Sequence, residues 1–502
     1  MSSRLPGPRV LKLTNWHARV LDAFLALSKG GGLMGSLHRR YGPVLQTSRN
    51  ELSVNSAAGI RDLYAGARRL DRPDPLVIFH NYQAENLVAT EDGQLHHDRR
   101  KPIRSIYSVT AVEAEATQEV IHEAVARLET YLRAQRQPLE VKPALRLLLY
   151  EIMSHIVYGK EHALNLFESS TEREAIDHDT TYQQDRLFSL SVLVPAWLPR
   201  FTLWLRRNNL APRALAGNFP PGLVADRLSR DALTALKASK TRVPPSPLPD
   251  QDPESLISRL HDHFTTQGPT PAIPSEAYIL SECVDHFWAG TSTTVDALIP
   301  LLHHLSQPEN KARQARLRRE LREAAITPAD PSTPPLLPSA NTLKKLPFLD
   351  AVIRETLRLN PPIPASMTRR VSTREGPVSV CGHRIPLGMV VGASPYVVGR
   401  NPDVYERAEQ WVPERWLAGQ EGAADDSGEG NGEKLRDMKR HFFAFGAGPR
   451  MCLGVNVAWA AMRAAVAGVY GRFETELVVA DKSGWTGQKA EDRVRFRRLH
   501  DC

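Results

Sequence analysis

Phe445–Gly454, FGAGPRMCLG, is the stretch on which the reading of this 502-residue chain turns. Its glycines permit a tight turn and let the backbone approach a flat ligand closely. Arg450 can grip a carboxylate through paired hydrogen bonds. The alanine-rich run that follows, VNVAWAAMRAAVAGVY, reads as a helix and puts Cys452 near its N-terminus. There the helix dipole and free N–H groups favour a thiolate over a thiol. A thiolate on iron pushes electron density toward bound oxygen and favours O–O cleavage. A lone cysteine after a glycine turn would read as structural. Here Phe445, Gly448, Arg450, Cys452 and Gly454 share one ten-residue frame, which suits a flat, carboxylate-bearing iron cofactor.

Three further constellations lie upstream. Glu355 and Arg358, in FLDAVIRETLRLNPP, stand three apart and share a helical face. Asn360-Pro361-Pro362 ends that helix, and Pro413-Glu414-Arg415-Trp416 follows before the Cys452 loop. Ala289–Thr294, AGTSTT, sits inside SECVDHFWAGTSTTVDALIPLLHHL, which predicts a long, largely buried helix over 276–306. His96–Ser108, HHDRRKPIRSIYS, gathers positive charge after the turn Asp92-Gly93.

In this order the motifs resemble the cytochrome P-450 family over about residues 35–500. The resemblance implies a mainly α fold with a small β portion: a lead segment over 1–34 without a transmembrane anchor, then one haem-thiolate catalytic domain over 35–502. Haem b would lie between the helix at 276–306 and the Cys452 loop. By the same resemblance Cys452 is the axial iron ligand and Arg450 a propionate contact, joined by His96 and Arg100, with Phe445 and Gly448 shaping the loop. Arg369 or Arg370 would add another such contact, and the register leaves both open. Glu355, Arg358 and Arg415 would form a buried structural triad supporting the loop. Thr293 would organise protons. Ser292 departs from the pattern, because an acid is expected at its position. A hydroxyl can hold a water but cannot store and deliver a proton as a carboxyl does. Asp285 lies seven residues earlier on a similar face and reaches the same space only through water; Asp296 is one turn later. Two readings follow: an ordinary water-borne relay, or altered oxygen chemistry such as dehydration, rearrangement or peroxide use.

The implied activity is insertion of one oxygen atom from dioxygen into a small, largely apolar organic molecule. Electrons would come from NADPH through a separate flavoprotein reductase. GRNPDVY at 399–405 and PERWL at 413–417 resemble microsomal and fungal members, which points to secondary-metabolite biosynthesis. A reductase-independent isomerase, dehydratase or peroxygenase stays open, as does a non-catalytic haem binder. Substrate-pocket residues are expected around 76–90, 185–205 and 362–368.

Composition is close to the soluble globular average. Hydrophobic residues are 42% and charged residues 24%, enough for a large core. Length alone would suggest about three domains, an expectation the motif order overrides. The net charge of +8 suits docking to an acidic partner. No basic run interleaved with aromatics reads as a nucleic-acid platform. Cys283, Cys381, Cys452 and Cys502 are widely spaced, which argues against a disulfide framework or a structural zinc site and for a reducing, intracellular compartment. No run of about 20 apolar residues occurs, so the chain is expected in the cytoplasm or peripherally on the endoplasmic reticulum. Val20–Leu27, too short to span and carrying Asp22, is where a membrane surface would be touched. Adjacent His303 and His304 cannot share a helix face as metal ligands. Loops are expected at Thr241–Pro253, Gly268–Ser275, Thr327–Ala340 and Gly419–Glu433, and strands around 42–55, 365–398 and 470–500.

Overall fold

A computed structural model describes residues 5–8, 31–65, 69–73, 79–176, 223–239, 254–324, 337–372, 378–417, 428–478 and 493–498. In chain order the helices are α1 Gly31–Tyr41, α2 Ala57–Tyr64, α3 Gly93–Ile103, α4 Val109–Glu113, α5 Glu115–Ala134, α6 Val141–Tyr158, α7 Leu223–Ser239 and α8 Leu256–Gln267. They continue with α9 Glu276–Ser306, α10 Lys311–Ala324, α11 Ala340–Leu343, α12 Pro347–Leu359, α13 Pro395–Val398, α14 Gly428–His441 and α15 Val455–Arg472. The strands are β1 Val44–Ser48, β2 Glu51–Val54, β3 Leu139–Glu140, β4 Arg369–Arg370, β5 Val378–Val380, β6 His383–Ile385, β7 Val390–Gly392, β8 Phe473–Leu477 and β9 Arg493–Arg498. This is the mainly α architecture with a small β portion that the motifs predict.

The long helix α9 runs over the predicted residues. Ser275 caps it by accepting the Tyr278 N–H, and Gln307-Pro308 stops it. It is apolar on nearly every face, as a helix through an interior must be. Its main partner is α6, whose Leu148, Tyr150, Ile152 and Val157 are buried. The two cross where Tyr150 stacks on Phe287, centroids 5.2 Å apart. A Cβ on Gly290 would lie 2.5 Å from Met153 Sδ, so the Met153 side chain fills the notch that this glycine leaves.

The main sheet has the order β1-β2-β7-β4. β1 and β2 form an antiparallel hairpin, β2 pairs parallel with β7, and β4 pairs antiparallel with β7. β5 and β6 form a hairpin across Cys381-Gly382, both at positive φ. A large apolar cluster runs through the helices, and a smaller one lies under the main sheet. None of the described helices is long and apolar enough to cross a membrane.

One predicted loop is corrected. Gly428–Glu433, the end of the expected Gly419–Glu433 loop, is the first part of α14. Its second half, EKLRDMKRH, is made of good helix formers. Met438 is buried, and the Tyr405 hydroxyl donates to the Met438 carbonyl at 3.0 Å, which anchors the helix and carries the glycine-rich lead into it. Ala340, the last residue of another expected loop, starts α11, where Ser339 accepts the Thr342 N–H. Gly268–Ser275 is a loop. The readings at Val20–Leu27, 185–205, Thr241–Pro253 and Cys502, and most of Thr327–Ala340, fall outside the described residues.

Candidate active site

The Cys452 loop is built from backbone. Gly446 and Gly448 have φ of +70° and +71°, a conformation that side chains resist. A Cβ on Gly448 would sit 1.7 Å from the Tyr64 carbonyl oxygen, so glycine is required there on two counts. The Cys452 N–H donates to the Phe445 carbonyl at 3.0 Å and closes the turn. Cys452 is three residues ahead of α15. Its side chain has accessible surface although protein atoms crowd it, as for a group on the wall of an internal space. Burial pushes its thiol up, while the Gly454 N–H and Arg100 pull it down. The helix start therefore does not make a free thiolate here; coordination to a metal would do so.

Beside this loop lies a cluster of cations. His96 is buried, its Nδ1 has no partner, and burial followed by Arg450, Arg100, Arg369 and Arg72 lowers it to about 2, so its ring is neutral. Arg100 Nη1 donates to the Met451 carbonyl at 2.6 Å. Arg450 donates Nη1 to the Thr90 carbonyl and Nη2 to the Glu91 carbonyl, both at 2.7 Å. The fork expected to grip a carboxylate thus holds α3's approach segment, and buried Nε is the donor left without a partner. Burial, then Arg369 and Arg72, lowers Arg450 to about 9. Asp71 and Asp92, which accept the Gly93 and Leu95 N–H groups, offset this only in part.

The structure also separates Arg369 from Arg370. Arg369 is buried over the Tyr64 ring and acts on His96, whereas Arg370 turns to the Pro73 carbonyl. Buried cations committed largely to carbonyls, with Arg450 Nε and His96 Nδ1 unpartnered, fit a flat ligand bearing two carboxylates, as haem does.

Glu355 and Arg358 are fully buried on α12. Glu355 accepts Arg358 Nη2 and Nε at 2.9 and 2.8 Å, Arg415 Nε at 3.0 Å, the Val412 N–H at 2.8 Å and Trp416 Nε1 at 2.9 Å. Arg358 also donates to the carbonyls of Gly399, Ala408 and Gln410. The cluster ties α12 to the segment that leads toward the Cys452 loop.

Across the site stands α9, an unbroken helix. Ala289 is exposed between half-buried Trp288 and Gly290. Ser292 donates to the Trp288 carbonyl at 2.9 Å and Thr293 to the Ala289 carbonyl at 2.7 Å, each one turn back. Sequence reasoning passed over the link between the two sides. The Tyr107 hydroxyl bonds His286 Nδ1 at 2.6 Å, and Asn456 Nδ2, on α15, donates to the Tyr107 carbonyl at 2.8 Å. His286 Nε2 lies 3.2 Å from Glu282 Oε1, and Glu282 Oε2 accepts the Leu87 N–H. The only sequence signal was charge inside a buried helix, Glu282, Asp285 and His286 within SECVDHFW.

The family model described as Cytochrome P450 matches residues 32–484. Cytochrome P450 monooxygenase BOT1 of Botryotinia fuckeliana is 26% identical, over 91% of this chain and 82% of its own length. Cytochrome P450 monooxygenase poxC of Penicillium oxalicum is 27% identical, over 99% of this chain and 90% of its own. A zebra fish cytochrome P450 structure with abiraterone superposes with a TM-score of 0.66 at 19% identity, covering 94% of this chain and 99% of that one, a likeness of fold. With a family model covering most of its length, this chain belongs to the cytochrome P450 family of haem monooxygenases.

Proposed function

We propose that this enzyme holds haem b through Cys452 and inserts one atom of dioxygen into a small, largely apolar organic molecule in secondary-metabolite biosynthesis. Electrons pass from NADPH through a separate flavoprotein reductase. The observation that carries the reading is the set of Arg72, Arg100, Arg369 and Arg450 around neutral His96, beside the glycine-shaped Cys452 turn. Bound haem supplies the activation of dioxygen and the oxidation of substrate. The chain's own residues do the rest. Cys452 Sγ would hold the metal and donate charge to it, and its N–H bond to Phe445 fixes the turn. Arg100, Arg369, Arg450 Nε and neutral His96 would hold the haem carboxylates. Phe445 and Gly448 keep the loop flat against the ligand, while Glu355, Arg358 and Arg415 keep its approach segment in place. Thr293 and Ser292 present hydroxyl oxygens that orient water on the opposite side.

The positive balance of the chain favours an acidic donor protein. A single catalytic domain over 35–502 and an intracellular site, cytoplasmic or peripheral on the endoplasmic reticulum, belong to the same proposal; limited proteolysis and cell fractionation check them. The test of function is a ligand screen by haem spin-state shift, followed by product analysis with reductase and NADPH. Incorporation of one labelled oxygen from dioxygen supports the reading. Product with peroxide alone and none with reductase favours the second reading, a reductase-independent haem-thiolate enzyme, for which Ser292 in the acid's place is the specific observation.

A further inference from the structure

Monooxygenation consumes protons in a fixed ratio: RH + O2 + 2 e− + 2 H+ gives ROH + H2O. At the register where a proton donor is expected, α9 offers only alcohols. Thr291, Ser292, Thr293 and Thr294 donate to the carbonyls of Phe287, Trp288, Ala289 and Gly290, at 2.8, 2.9, 2.7 and 2.9 Å. Their oxygens still accept, but the hydroxyl hydrogens are committed, and none is acidic.

On the preceding turns lie the side chains of Glu282, Asp285 and His286. Glu282 is fully buried and holds the Leu87 N–H and His286. Both ring nitrogens of His286 are engaged, by Tyr107 and Glu282. Asp285 differs. It is 8% exposed, and among the described residues no hydrogen bond reaches its carboxyl. The charged and titratable groups that face it are His286, Glu282 and Tyr278 on its own helix, Arg72 before α3 and Tyr107 after it. Burial is the strongest influence and pushes it up to about 7, so near neutrality both forms are populated.

Helix geometry aims this carboxyl at the site. At 100° per residue Asp285, Ala289 and Ser292 fall within about 60° of one another on the helix surface. Ala289, the exposed residue of this stretch, is one turn, about 6 Å of rise, from Asp285 and again from Thr293. The space in front of Ala289 is therefore reached by a carboxyl from one side and by hydroxyl oxygens from the other.

We infer that Asp285, rather than Ser292, stores and delivers the protons this enzyme's oxygen chemistry consumes. Its carboxyl O–H breaks, the proton passes to a water in front of Ala289, and the Ser292 and Thr293 oxygens orient that water by accepting from it. The carboxylate regains a proton from solvent water, with no change in the electron count. Asp285 acts through water and is a positioning residue. The inference rests on the haem monooxygenase reading.

The test uses holoenzyme, a microsomal flavoprotein reductase, NADPH and dioxygen as the only small molecules. Oxygen then leaves either as peroxide, O2 + 2 e− + 2 H+ → H2O2, or as water, O2 + 4 e− + 4 H+ → 2 H2O, and the second path needs the further protons. Asp285→Asn preserves shape and removes the acid. It is expected to lower water formation relative to peroxide by about tenfold or more, within the range for a lost general acid, and to enlarge the solvent deuterium isotope effect on water formation. Ser292→Asp added to Asp285→Asn should restore the ratio to within about twofold. An unchanged ratio and isotope effect in Asp285→Asn with an intact carbon monoxide band overturns the inference, as does failure of Ser292→Asp to rescue. Should Asp285→Asn fail to take up haem, Asp285→Glu, which keeps the acid, and Asp285→Leu, which removes it, decide: a water share about tenfold higher in the first than in the second supports the inference, and equal ratios overturn it. Absence of the thiolate band or of NADPH consumption in the unsubstituted protein would instead defeat the functional reading, and the inference with it.

Discussion

Replacing Glu355 by alanine is expected to cost more than any other single truncation on α12. Its carboxylate accepts from Arg358, Arg415, the Val412 N–H and Trp416 Nε1, and it is wholly buried with Arg358. Removal leaves the Arg358 charge buried without a counter-ion, which costs about 3–5 kcal/mol. The Val412 and Trp416 donors would each add about 1–3 kcal/mol if left dry. These terms share one cavity and do not add, so about 4–6 kcal/mol is the working figure. Glu355→Gln keeps the shape and some acceptor capacity and should fall between alanine and the native residue. The assay is urea unfolding followed by tryptophan fluorescence, with haem content measured on the same samples. Both variants should lose haem in the order of their destabilisation. A loss below about 1 kcal/mol for Glu355→Ala, the size of an exposed ion pair, would refute the claim that this cluster holds the approach to the Cys452 loop.

Three further outcomes follow from the same geometry. Gly448→Ala meets the Tyr64 carbonyl and a φ of +71°, so haem content should fall severalfold, whereas Gly454→Ala, with nothing within 4 Å of its Cβ, should retain it; equal loss would contradict the loop geometry. His96 is held neutral well below its unfolded value of about 6.5, so its contribution to apoprotein stability is present above that value and is lost as pH falls below it, at about 1.4 kcal/mol per pH unit. His96→Phe should flatten the acid limb of stability between pH 6.5 and 4.5 by about 2–3 kcal/mol, and an unchanged limb would contradict the buried neutral ring. Arg369→Met should weaken haem retention more than Arg370→Met, measured by haem transfer to an acceptor globin, because Arg369 alone of the two faces His96.

Short-range order was legible because it is written in adjacent residues. The Cys452 turn rests on glycines within one frame, α9 on an apolar run between Ser275 and Pro308, and the Glu355–Arg358 spacing on one helix turn. What depends on distant pairing was not legible. Arg369 and Arg370 are told apart by β4, where Arg369 pairs with Val391 and Arg370 with Val390. The Arg450 fork is drawn to the Thr90 and Glu91 carbonyls, some 360 residues away in the chain. The Tyr107–His286 bond joins two elements whose partnership no local pattern records. The glycines of Gly428–Glu433 read as a loop because the anchor for α14, Tyr405 on Met438, lies outside that segment.

The central claim is the bond from Cys452 sulfur to iron. Its most direct measurement is the carbon monoxide difference spectrum of the reduced protein beside that of Cys452→Ser. The account predicts the thiolate-type band in the native chain and its disappearance in the variant. The band's persistence in Cys452→Ser, or its absence from well-folded native protein supplied with haem, would contradict it.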